Sequence, residues 1–584
     1  MEQRPSAHEL YDIWSKDPYF EEGTHTELAG IAGDEAEINE RFYRYLEFGT
    51  GGLRGILGAG TNRMNRYTIA LATEAFARFV NSLGEQAKRR GIAIAYDSRN
   101  FSPEFAEIAA RIFATHGITV YLCDELRPTP MLSFAVRYYN CVGGVMVTAS
   151  HNPAEYNGYK AYGEDGGQMP PQSADVIMRE MADITDIRKV SAITLDEGMK
   201  GGLIRMVGPE LDVAYEAQLD ALRINRETPA RQKDMKIVFT PLHGTGNKPV
   251  RRILKQIGFD QVLTVPAQMM PDGDFPTVES PNPESRSALQ MAIDLADKEE
   301  ASLVIATDPD GDRTGLAVRG GDGEFEVLNG NQIGLLMMDY ILSAKKENNA
   351  LPAKSFVVTT IVSTRLARKV ADHYGVQLYT TLTGFKYIGE LIKDLDENGD
   401  QHYQFGFEES FGYLAGTEVR DKDAVVAAML IAEMAASSRM AGQTLKDRLD
   451  RFYDRFGYGM EGQISIQQEG QAGAARIQGL LESLREKGRD ALGTLNVRSR
   501  SDYTSGVFDN YEDESTERLT LPQADVLMYQ LQGDDWVCLR PSGTEPKVKI
   551  YYGAYGDDRD DVEERLEHYK KVLNELAEAE LAKL

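Results

Sequence analysis

The sequence predicts an α/β protein of several domains, with a smaller α+β domain at its carboxyl end. Over most of the 584-residue chain, short apolar strands alternate with helical patterns, and this alternation restarts twice after stretches rich in glycine and proline. At the end of the chain, several strands precede one helix, an order typical of an α+β domain. At roughly 100 to 200 residues per domain, the length fits about three to five domains.

Composition and charge exclude several classes of protein. Hydrophobic residues make up 42% of the chain and charged residues 27%, which is typical of folded proteins. The formal net charge of −27 argues against non-specific binding to nucleic acid or to an anionic membrane. The three cysteines are far apart and the first residues lack the apolar region of a signal peptide, so we expect a cytoplasmic protein. The most apolar stretch, 424–432, is too short to cross a bilayer and indicates a buried helix.

The first unit alternates helices and strands. The pattern predicts a helix over 65–88, a strand over 92–96, a helix over 103–115, and strands over 119–122 and 142–148. The last strand runs directly into Ser150 and His151, before Asn152 and Pro153 end it. Loops that leave the carboxyl ends of strands are where open α/β sheets bind ligands. We therefore expect a functional loop at Ser150.

Two further α/β units and a different tail follow. We interpret 198–209 as a linker, after which we expect the strands 236–240, 262–265 and 302–307, with a helix at 249–257. Asp272 and Asp274 lie in the proline-rich connection 271–283 and indicate a turn. A third unit has a strand over 355–362 and loops at 383–386 and 406–412. The tail reads as a hairpin of 526–531 with 536–539, a strand over 547–552, and a closing helix.

Three alternate aspartates, Asp308, Asp310 and Asp312, come directly after an apolar strand. They begin like a calcium loop, but arginines stand at 313 and 319, where that loop needs glycine and glutamate. A solvated acidic turn is the simplest alternative. Because three carboxylates so close together repel, a bound divalent cation explains them better. We expect Mg²⁺, since three carboxylates leave coordination positions for a phosphate oxygen.

Ser150 is a candidate nucleophile, although a loop serine more often bonds its own backbone. No G-x-S-x-G sequence surrounds it, so acyl transfer gains no support. If it were phosphorylated, Ser150 could itself coordinate the metal held by the aspartates. His151 could be a hydrogen-bonding partner, and Lys160 could be an acid or base if neighbouring cations lowered its pKa. For both residues, a purely structural role is the alternative.

A turn near the carboxyl end suits a phosphate dianion. It contains Arg540, Ser542, Gly543 and Thr544, which offer a guanidinium, hydroxyls and backbone N–H groups. An ordinary hairpin turn is the alternative. Neither glycine loop, at 49–55 or at 244–246, completes a dinucleotide fingerprint, and the sequence has no P-loop. We therefore expect the chain to bind phosphate without a nucleotide.

Four segments together resemble the α-D-phosphohexomutase family: 148–153 (TASHNP), 308–313 (DPDGDR), 406–412 (GFEESFG) and 540–546 (RPSGTEP). The segment 48–55 (FGTGGLRG) is similar to the longer phosphoglucomutase and phosphopentomutase branch. The resemblance implies four domains around a central cleft, three of them related α/β domains. We place them at 1–207 (phosphoserine), 208–324 (metal), 325–447 (sugar) and 448–584 (phosphate).

The resemblance also implies roles for individual residues. Ser150 would be the phosphoserine, and Asp308, Asp310 and Asp312 would hold Mg²⁺ against it. Catalysis would involve Ser150, His151, Lys160, Arg313 and Lys386. The substrate would be bound by Arg54, Glu408, Ser410, Arg540, Ser542, Gly543 and Thr544. The implied reaction interconverts glucose 1-phosphate and glucose 6-phosphate, with glucose 1,6-bisphosphate as the activating intermediate.

Alternatives remain within and outside this family. Phosphomannomutase, phosphopentomutase and glucose-1,6-bisphosphate synthase would keep the same serine and aspartates. A DxD-type glycosyltransferase would bind a nucleotide sugar through the metal and leave Ser150 unphosphorylated. A non-enzymatic cation-binding scaffold would keep its function in Ser150→Ala. We expect a small sugar phosphate as the only partner, no nucleic acid or membrane, and a monomer or weak dimer.

Overall fold

The computed structural model of the protein describes residues 5–46, 52–468, 470–542 and 547–583. The chain forms two compact units. The first comprises Met1–Gly330, Ile388–Phe405 and Ser410–Leu445, and the second comprises Asn331–Tyr387, Gly406–Glu409 and Lys446–Leu584.

Three short helices precede the first sheet: α1 (Ala7–Lys16), α2 (Glu22–Ala29) and α3 (Glu35–Phe42). The Ser6 side chain caps α1 by accepting the backbone N–H of Glu9, whose carboxylate accepts the N–H of Ser6 in return. The rings of Trp14 and Phe20 stack at 4.5 Å between these helices. The polar and acidic amino-terminal stretch is thus folded around its few aromatic residues.

The first sheet has six strands in the order β1-β5-β4-β2-β3-β6. The strands are β1 (Leu53–Ile56), β2 (Ile92–Tyr96), β3 (Val120–Cys123), β4 (Gly143–Val147), β5 (Tyr156–Gly163) and β6 (Ile204–Val207). The helices are α4 (Arg66–Ser82), α5 (Glu85–Arg90), α6 (Ser102–Thr115), α7 (Thr129–Tyr138), α8 (Pro171–Asp183) and α9 (Leu195–Lys200). Because β2 and β4 are parallel neighbours, the loops that follow them lie side by side.

Two sequence predictions for this region are wrong in detail. The helix expected over 65–88 is divided into α4 and α5, because Gly84 between them adopts a φ of 91°. The stretch 198–209 is not a linker, since it contains the end of α9 and the strand β6, which pairs in parallel with β3. The glycines of this stretch are typical of a linker, but here they flank a short edge strand.

The second sheet has five strands in the order β11-β10-β9-β7-β8. They are β7 (Ile237–Thr240), β8 (Val262–Thr264), β9 (Leu303–Thr307), β10 (Thr314–Arg319) and β11 (Phe325–Leu328). The helices are α10 (Pro209–Ala221), α11 (Thr228–Arg231), α12 (Asn247–Ile257), α13 (Pro266–Met269) and α14 (Arg286–Lys298). Thr307 of β9 pairs with Thr314 of β10, so the aspartate segment is the turn of an antiparallel hairpin.

The elements of the next region are α15 (Gly330–Glu347), β12 (Ser355–Thr360), α16 (Leu366–Tyr374), β13 (Gln377–Thr381), α17 (Phe385–Ile392), β14 (His402–Phe407), β15 (Tyr413–Leu414), α18 (Ala424–Met440) and α19 (Leu445–Phe456). Strands β12 and β13 pair in parallel. Among the described residues, no single helix is long and apolar enough to cross a membrane; α18 and α19 taken as a bent pair have the length and composition to do so. Most of α18 is buried inside the protein, as its composition predicts.

The tail forms a seven-stranded antiparallel sheet in the order β16-β22-β21-β20-β17-β18-β19. The strands are β16 (Tyr458–Gln467), β17 (Ser499–Asp502), β18 (Val507–Asn510), β19 (Ser515–Arg518), β20 (Leu527–Gln530), β21 (Trp536–Pro541) and β22 (Lys547–Gly556). The helices are α20 (Gly470–Lys487) and the closing α21 (Arg559–Leu581). The predicted α+β character of the tail is confirmed.

Candidate active site

Ser150 follows β4 in a tightly held loop, which we call the serine loop (residues 148–156). The residue is buried, and its φ of 53° lies in the left-handed region that non-glycine residues seldom adopt. The backbone N–H of Ser150 donates to the Thr148 hydroxyl at 2.8 Å, and that hydroxyl donates to the Asp97 carboxylate at 2.6 Å. A chain of polar groups therefore fixes the unusual backbone.

The buried guanidinium of Arg99 holds the serine loop from behind. Its two terminal nitrogens donate to four backbone carbonyls of the loop: those of Ser150 at 2.6 Å, Pro153 at 2.8 Å, Tyr156 at 2.9 Å, and Asn152. The Nε atom lies 3.4 Å from the Asp97 carboxylate, so the buried cation has a partner of opposite charge. Arginine suits this position because its rigid fork can reach several acceptors at once.

The aspartate turn meets the serine loop directly. The Ser150 hydroxyl donates to Asp308 Oδ2 at 2.8 Å, and Asp308 Oδ1 accepts the backbone N–H groups of Asp312 at 3.0 Å and Arg313 at 2.9 Å. Asp308 and Asp310 are fully buried and Asp312 is 2% exposed. The three carboxylates offer ligand atoms that all lie within 4.8 Å of one another. The solvated-turn interpretation is therefore wrong.

Two lysines lie against this acidic cluster. Lys160 Nζ lies 2.8 Å from Asp310 Oδ2 and 3.4 Å from Asp312 Oδ2. Lys422 Nζ lies 3.1 Å from Asp312 Oδ2 and 2.9 Å from Asp421 Oδ1. Burial works against the charged form of Lys160, but Asp310 and Asp312 raise the pKa of Lys160 above its usual value. The lowered pKa that an acid or base at Lys160 would need is not found, because carboxylates rather than cations are its nearest neighbours.

The pKa values of the aspartates diverge for physical reasons. Burial and the neighbouring charges of Asp310 and Asp312 raise the pKa of Asp308 well above its usual value. Burial opposes ionisation of Asp312 as well, yet Lys422 and Lys160 outweigh it and hold the pKa of Asp312 well below its usual range. The pKa of Asp310 is lowered as well, so the negative charge of the cluster lies on Asp310 and Asp312, and ionisation of Asp308 is disfavoured.

The donor set fits a hard divalent cation. Within the described parts of the chain, the buried atoms Asp310 Oδ1 and Asp312 Oδ1 have no hydrogen-bond partner. A buried carboxylate oxygen without a partner is costly unless it has a ligand. All the offered donors are carboxylate oxygens, the type that Mg²⁺ and Ca²⁺ prefer over zinc or copper. These residues can therefore hold a metal ion.

Three more predicted residues lie at the serine loop and the aspartate turn: His151, Arg54 and Arg313. His151 Nδ1 lies 3.3 Å from the Ser150 hydroxyl, and Arg54 donates to the Asn152 side chain at 3.2 Å. Burial and the nearby charges of Arg313 and Arg54 hold the pKa of His151 well below its usual value, so its imidazole is neutral at pH 7. The Arg313 guanidinium donates to Glu284 Oε1 at 2.7 Å. Arg54 and Arg313 thus place positive charge near the His151 imidazole, which itself stays neutral beside the Ser150 hydroxyl.

In the second unit, the structure brings two predicted loops together. The backbone N–H of Gly384 donates to Glu408 Oε1 at 3.0 Å. Lys386, expected in the loop 383–386, is instead the second residue of α17, which begins directly after Gly384. Burial and the Glu408 carboxylate raise the pKa of the adjacent Glu409 to about 7. Ser410 belongs to the first unit.

The predicted phosphate loop is described only in part. Arg540 lies at the end of β21, where it pairs with Lys549 of β22, and Ser542 follows. The backbone N–H of Ser542 donates to the carbonyl of Lys547 at 2.7 Å. Gly543 and Thr544 lie outside the described residues. The part that is described therefore has two cations on neighbouring strands.

Sequence reasoning missed Arg99 and Lys422. Arg99 follows the predicted strand 92–96, so the rule that ligand loops follow strand ends could have identified it. Lys422 lies in a run of four charged residues, 420–423, immediately before the most apolar helix of the chain. All four residues of that run are buried, which a solvated charge run would not be.

Comparison with known proteins gives a consistent picture. Three successive profiles match this chain: "Phosphoglucomutase/phosphomannomutase, alpha/beta/alpha domain I" over residues 45–188, domain II over 215–321 and domain III over 329–456. The domain boundaries expected from the sequence remain a prediction.

Curated relatives and solved structures agree with these profiles. A phosphoglucomutase of Staphylococcus aureus (strain MRSA252) is 35% identical over 532 residues, covering 91% of this chain and 94% of the relative. The structure of the Paramecium phosphoprotein pp63/parafusin, a phosphoglucomutase in its open form, matches with a TM-score of 0.66 at 19% identity, covering 92% of this chain and 95% of that one. A phosphoglucomutase/phosphomannomutase family protein from Burkholderia thailandensis matches with a TM-score of 0.66 at 17% identity, covering 91% and 97%.

Proposed function

Because this chain belongs to the phosphoglucomutase/phosphomannomutase family and is therefore an isomerase that transfers phosphoryl groups, we propose that it interconverts glucose 1-phosphate and glucose 6-phosphate. One observation carries the chemistry: the Ser150 hydroxyl lies 2.8 Å from Asp308 in a buried cluster of three carboxylates. The Staphylococcus aureus relatives named phosphoglucomutase support glucose as the sugar.

In the proposed reaction, phosphorylated Ser150 gives its phosphoryl group to the free hydroxyl of the sugar monophosphate. The bond between phosphorus and Ser150 Oγ breaks and a bond to the sugar oxygen forms. The sugar hydroxyl loses its proton and Ser150 Oγ gains one, so the transfer leaves a free serine hydroxyl and no net change in protons. The product is a sugar bisphosphate. The bisphosphate then reorients within the site. Its other phosphoryl group is transferred to Ser150, and the isomeric monophosphate leaves. Glucose 1,6-bisphosphate is thus both the intermediate and the activator that first phosphorylates the serine.

Charge stabilisation is the main task of the residues around Ser150. Asp308, Asp310 and Asp312 would hold Mg²⁺, which when bound supplies a Lewis acid for the phosphoryl oxygens. Lys160 stays protonated and contributes positive charge on the side of Asp310. Arg313 contributes a guanidinium from the same turn. Neutral His151 can accept or donate one hydrogen bond at the Ser150 oxygen and adds no charge.

Binding and orientation of the sugar fall to the loops named by the resemblance. Glu408 and Ser410 would accept hydrogen bonds from sugar hydroxyls, with Lys386 at the start of α17, within one turn of the Gly384 N–H that Glu408 accepts. Arg54 would bind substrate phosphate beside the serine loop. Arg540, Ser542, Gly543 and Thr544 would bind the phosphate that is not reacting. We further propose that the protein acts in the cytoplasm as a monomer or weak dimer, with no nucleic-acid or membrane partner.

Substrate competition tests the choice of sugar. We expect kcat/KM for glucose 1-phosphate to exceed that for mannose 1-phosphate and ribose 1-phosphate, and Ser150→Ala to lose mutase activity on all three. A higher kcat/KM for mannose 1-phosphate or ribose 1-phosphate would make the protein a phosphomannomutase or a phosphopentomutase. Accumulation of glucose 1,6-bisphosphate as the end product would make it a bisphosphate synthase.

A further inference from the structure

The connection between α13 and α14 does more than join two helices. We call residues 272–284 the strap, and we infer that the strap positions the serine loop against the aspartate turn, with Glu284 as the positioning residue that orients the Arg313 guanidinium. This inference rests on the proposed phosphoryl transfer. The sequence indicated only a proline-rich turn here.

At its beginning, the strap contacts the residues that support the serine loop. Asn100 Nδ2 donates to Asp274 Oδ1 at 2.7 Å. The Arg99 guanidinium, which holds four carbonyls of the serine loop, lies over the Phe275 ring at 5.0 Å. Phe275 is 1% exposed, so this cation–π contact is shielded from water.

In its middle, the strap is bound on both sides. The Thr277 hydroxyl bonds His243 Nε2 at 2.8 Å and accepts a hydrogen bond from Gln268 Nε2 at 3.1 Å, which fixes the strap to the loop after β7 and to α13. Three residues later, the Ser280 hydroxyl donates to the backbone carbonyl of His151 at 2.7 Å. The strap therefore ties the residue after the proposed nucleophile to the second sheet.

At its end, the strap reaches the aspartate turn. The Asn282 side chain accepts the backbone N–H of Glu284 at 3.0 Å, which sets the backbone so that Glu284 Oε1 meets Arg313 Nη1 at 2.7 Å. The Pro283 carbonyl packs against Gly315 on β10, since a Cβ at that glycine would lie 2.3 Å from it. No side chain larger than hydrogen fits between the strap and the hairpin that carries the aspartates.

Charge explains why Arg313 needs such a partner. Its Nε atom lies 3.9 Å from Asp312 Oδ1, one of the two buried oxygens that suit a metal ion. Without Glu284, the guanidinium would be drawn further onto that carboxylate and would compete with the cation for it. With Glu284 in place, one edge of the Arg313 guanidinium is bound to the strap, and this contact orients the whole planar group. Removing a side chain that orients an active-site group in this way typically lowers activity by about 10- to 100-fold.

The test compares Glu284→Ala and Glu284→Gln with Glu279→Gln, an exposed position on the same strap. Activity on glucose 1-phosphate, thermal unfolding and the phosphate content of Ser150 are measured for each. We expect Glu284→Ala to lower kcat by about 10- to 100-fold with KM changed less than about threefold. Glu284→Gln keeps an acceptor for Arg313 and should recover part of kcat, whereas Glu279→Gln should match the wild type.

Wild-type kcat in folded Glu284→Ala, an increase in KM alone, or an equal loss in Glu279→Gln would overturn the inference. If Glu284→Ala does not fold, Glu284→Gln decides: a kcat equal to that of the wild type would refute the role of the charge. Failure of the proposed function looks different, because the wild-type protein would then carry no exchangeable phosphate on Ser150 and would show no mutase activity.

Discussion

Replacing Arg99 by lysine should strongly lower kcat, although Arg99 itself is not among the residues proposed to contact the substrate. The arginine presents two nitrogens to four carbonyls of the serine loop and keeps Ser150 at a φ of 53°. Lysine keeps the positive charge beside Asp97, but its single nitrogen cannot span all four acceptors. The loop should then relax away from the strained conformation that presents the hydroxyl to Asp308.

The size of the effect follows from the hydrogen bonds that are lost. If the ammonium keeps about two of the four carbonyls, two charge-assisted bonds disappear, each worth about 1.5 to 3 kcal/mol. The ordered loop therefore loses about 3 to 6 kcal/mol relative to open forms. At about 1.4 kcal/mol for each factor of ten, kcat should fall by up to about 10²- to 10⁴-fold if only the ordered loop reacts, and by less to the extent that the wild-type ordered loop is more stable than its open forms.

Steady-state kinetics measure the loss of kcat, and amide hydrogen exchange measures the loss of order in the serine loop. We expect Arg99→Lys to show the lower kcat together with faster amide exchange over residues 148–156. Arg63→Lys is the control, since Arg63 is also buried and ion-paired, to Glu37, but is not part of the serine loop. A normal kcat with faster exchange would show that loop order does not limit the rate, and normal values of both would refute the anchoring role.

Three other predictions address the metal, the phosphate and the pH dependence. In Asp310→Asn, Mg²⁺ should no longer stabilise the protein, whereas the wild type should gain about 2.7 kcal/mol at 100 times the Kd, as measured by thermal unfolding; equal gains would contradict the metal site. Arg540→Ala should raise KM by about 10- to 100-fold and change kcat less, because a charge-assisted bond to phosphate is lost; an unchanged KM in steady-state assays would count against this role. His151 is held neutral by burial, Arg313 and Arg54, which lower its pKa, while the unfolded chain takes up a proton below pH 6.5. The free energy of unfolding should therefore fall towards acid by at most about 1.4 kcal/mol per pH unit, and denaturant titrations of His151→Gln should lack that slope.

The sequence predicted those parts of the fold that depend on local pattern. The strand before Asp308 is a continuous apolar run and the turn after it is rich in aspartate and glycine, so both the strand and the cluster could be predicted. The short edge strand β6 was missed because four residues between glycines carry too little periodicity. The break at Gly84 was missed for a related reason, since helical spacing continues on both sides of it.

The site was less predictable because its supporting contacts join residues far apart in sequence. Arg99 donates to carbonyls 51 to 57 residues away, and Lys422, which lies just before α18, contacts Asp312 in the turn between β9 and β10. Contacts between residues so far apart in sequence produce no pattern in the local spacing of residue types. Lys160 could be singled out, but its raised pKa depends on which charges fold against it, and those charges are carboxylates. Sequence pattern identifies the loops at strand ends, whereas folding determines which charges meet there.

In the proposed reaction, Ser150 carries the phosphoryl group that is exchanged with the sugar. Intact mass and peptide mapping of the purified protein, before and after incubation with glucose 1-phosphate or glucose 1,6-bisphosphate, test it most directly. We expect one phosphate, located on Ser150, that exchanges with substrate and is absent from Ser150→Ala. Unmodified Ser150 after incubation with the bisphosphate, in protein that still converts glucose 1-phosphate, would contradict it.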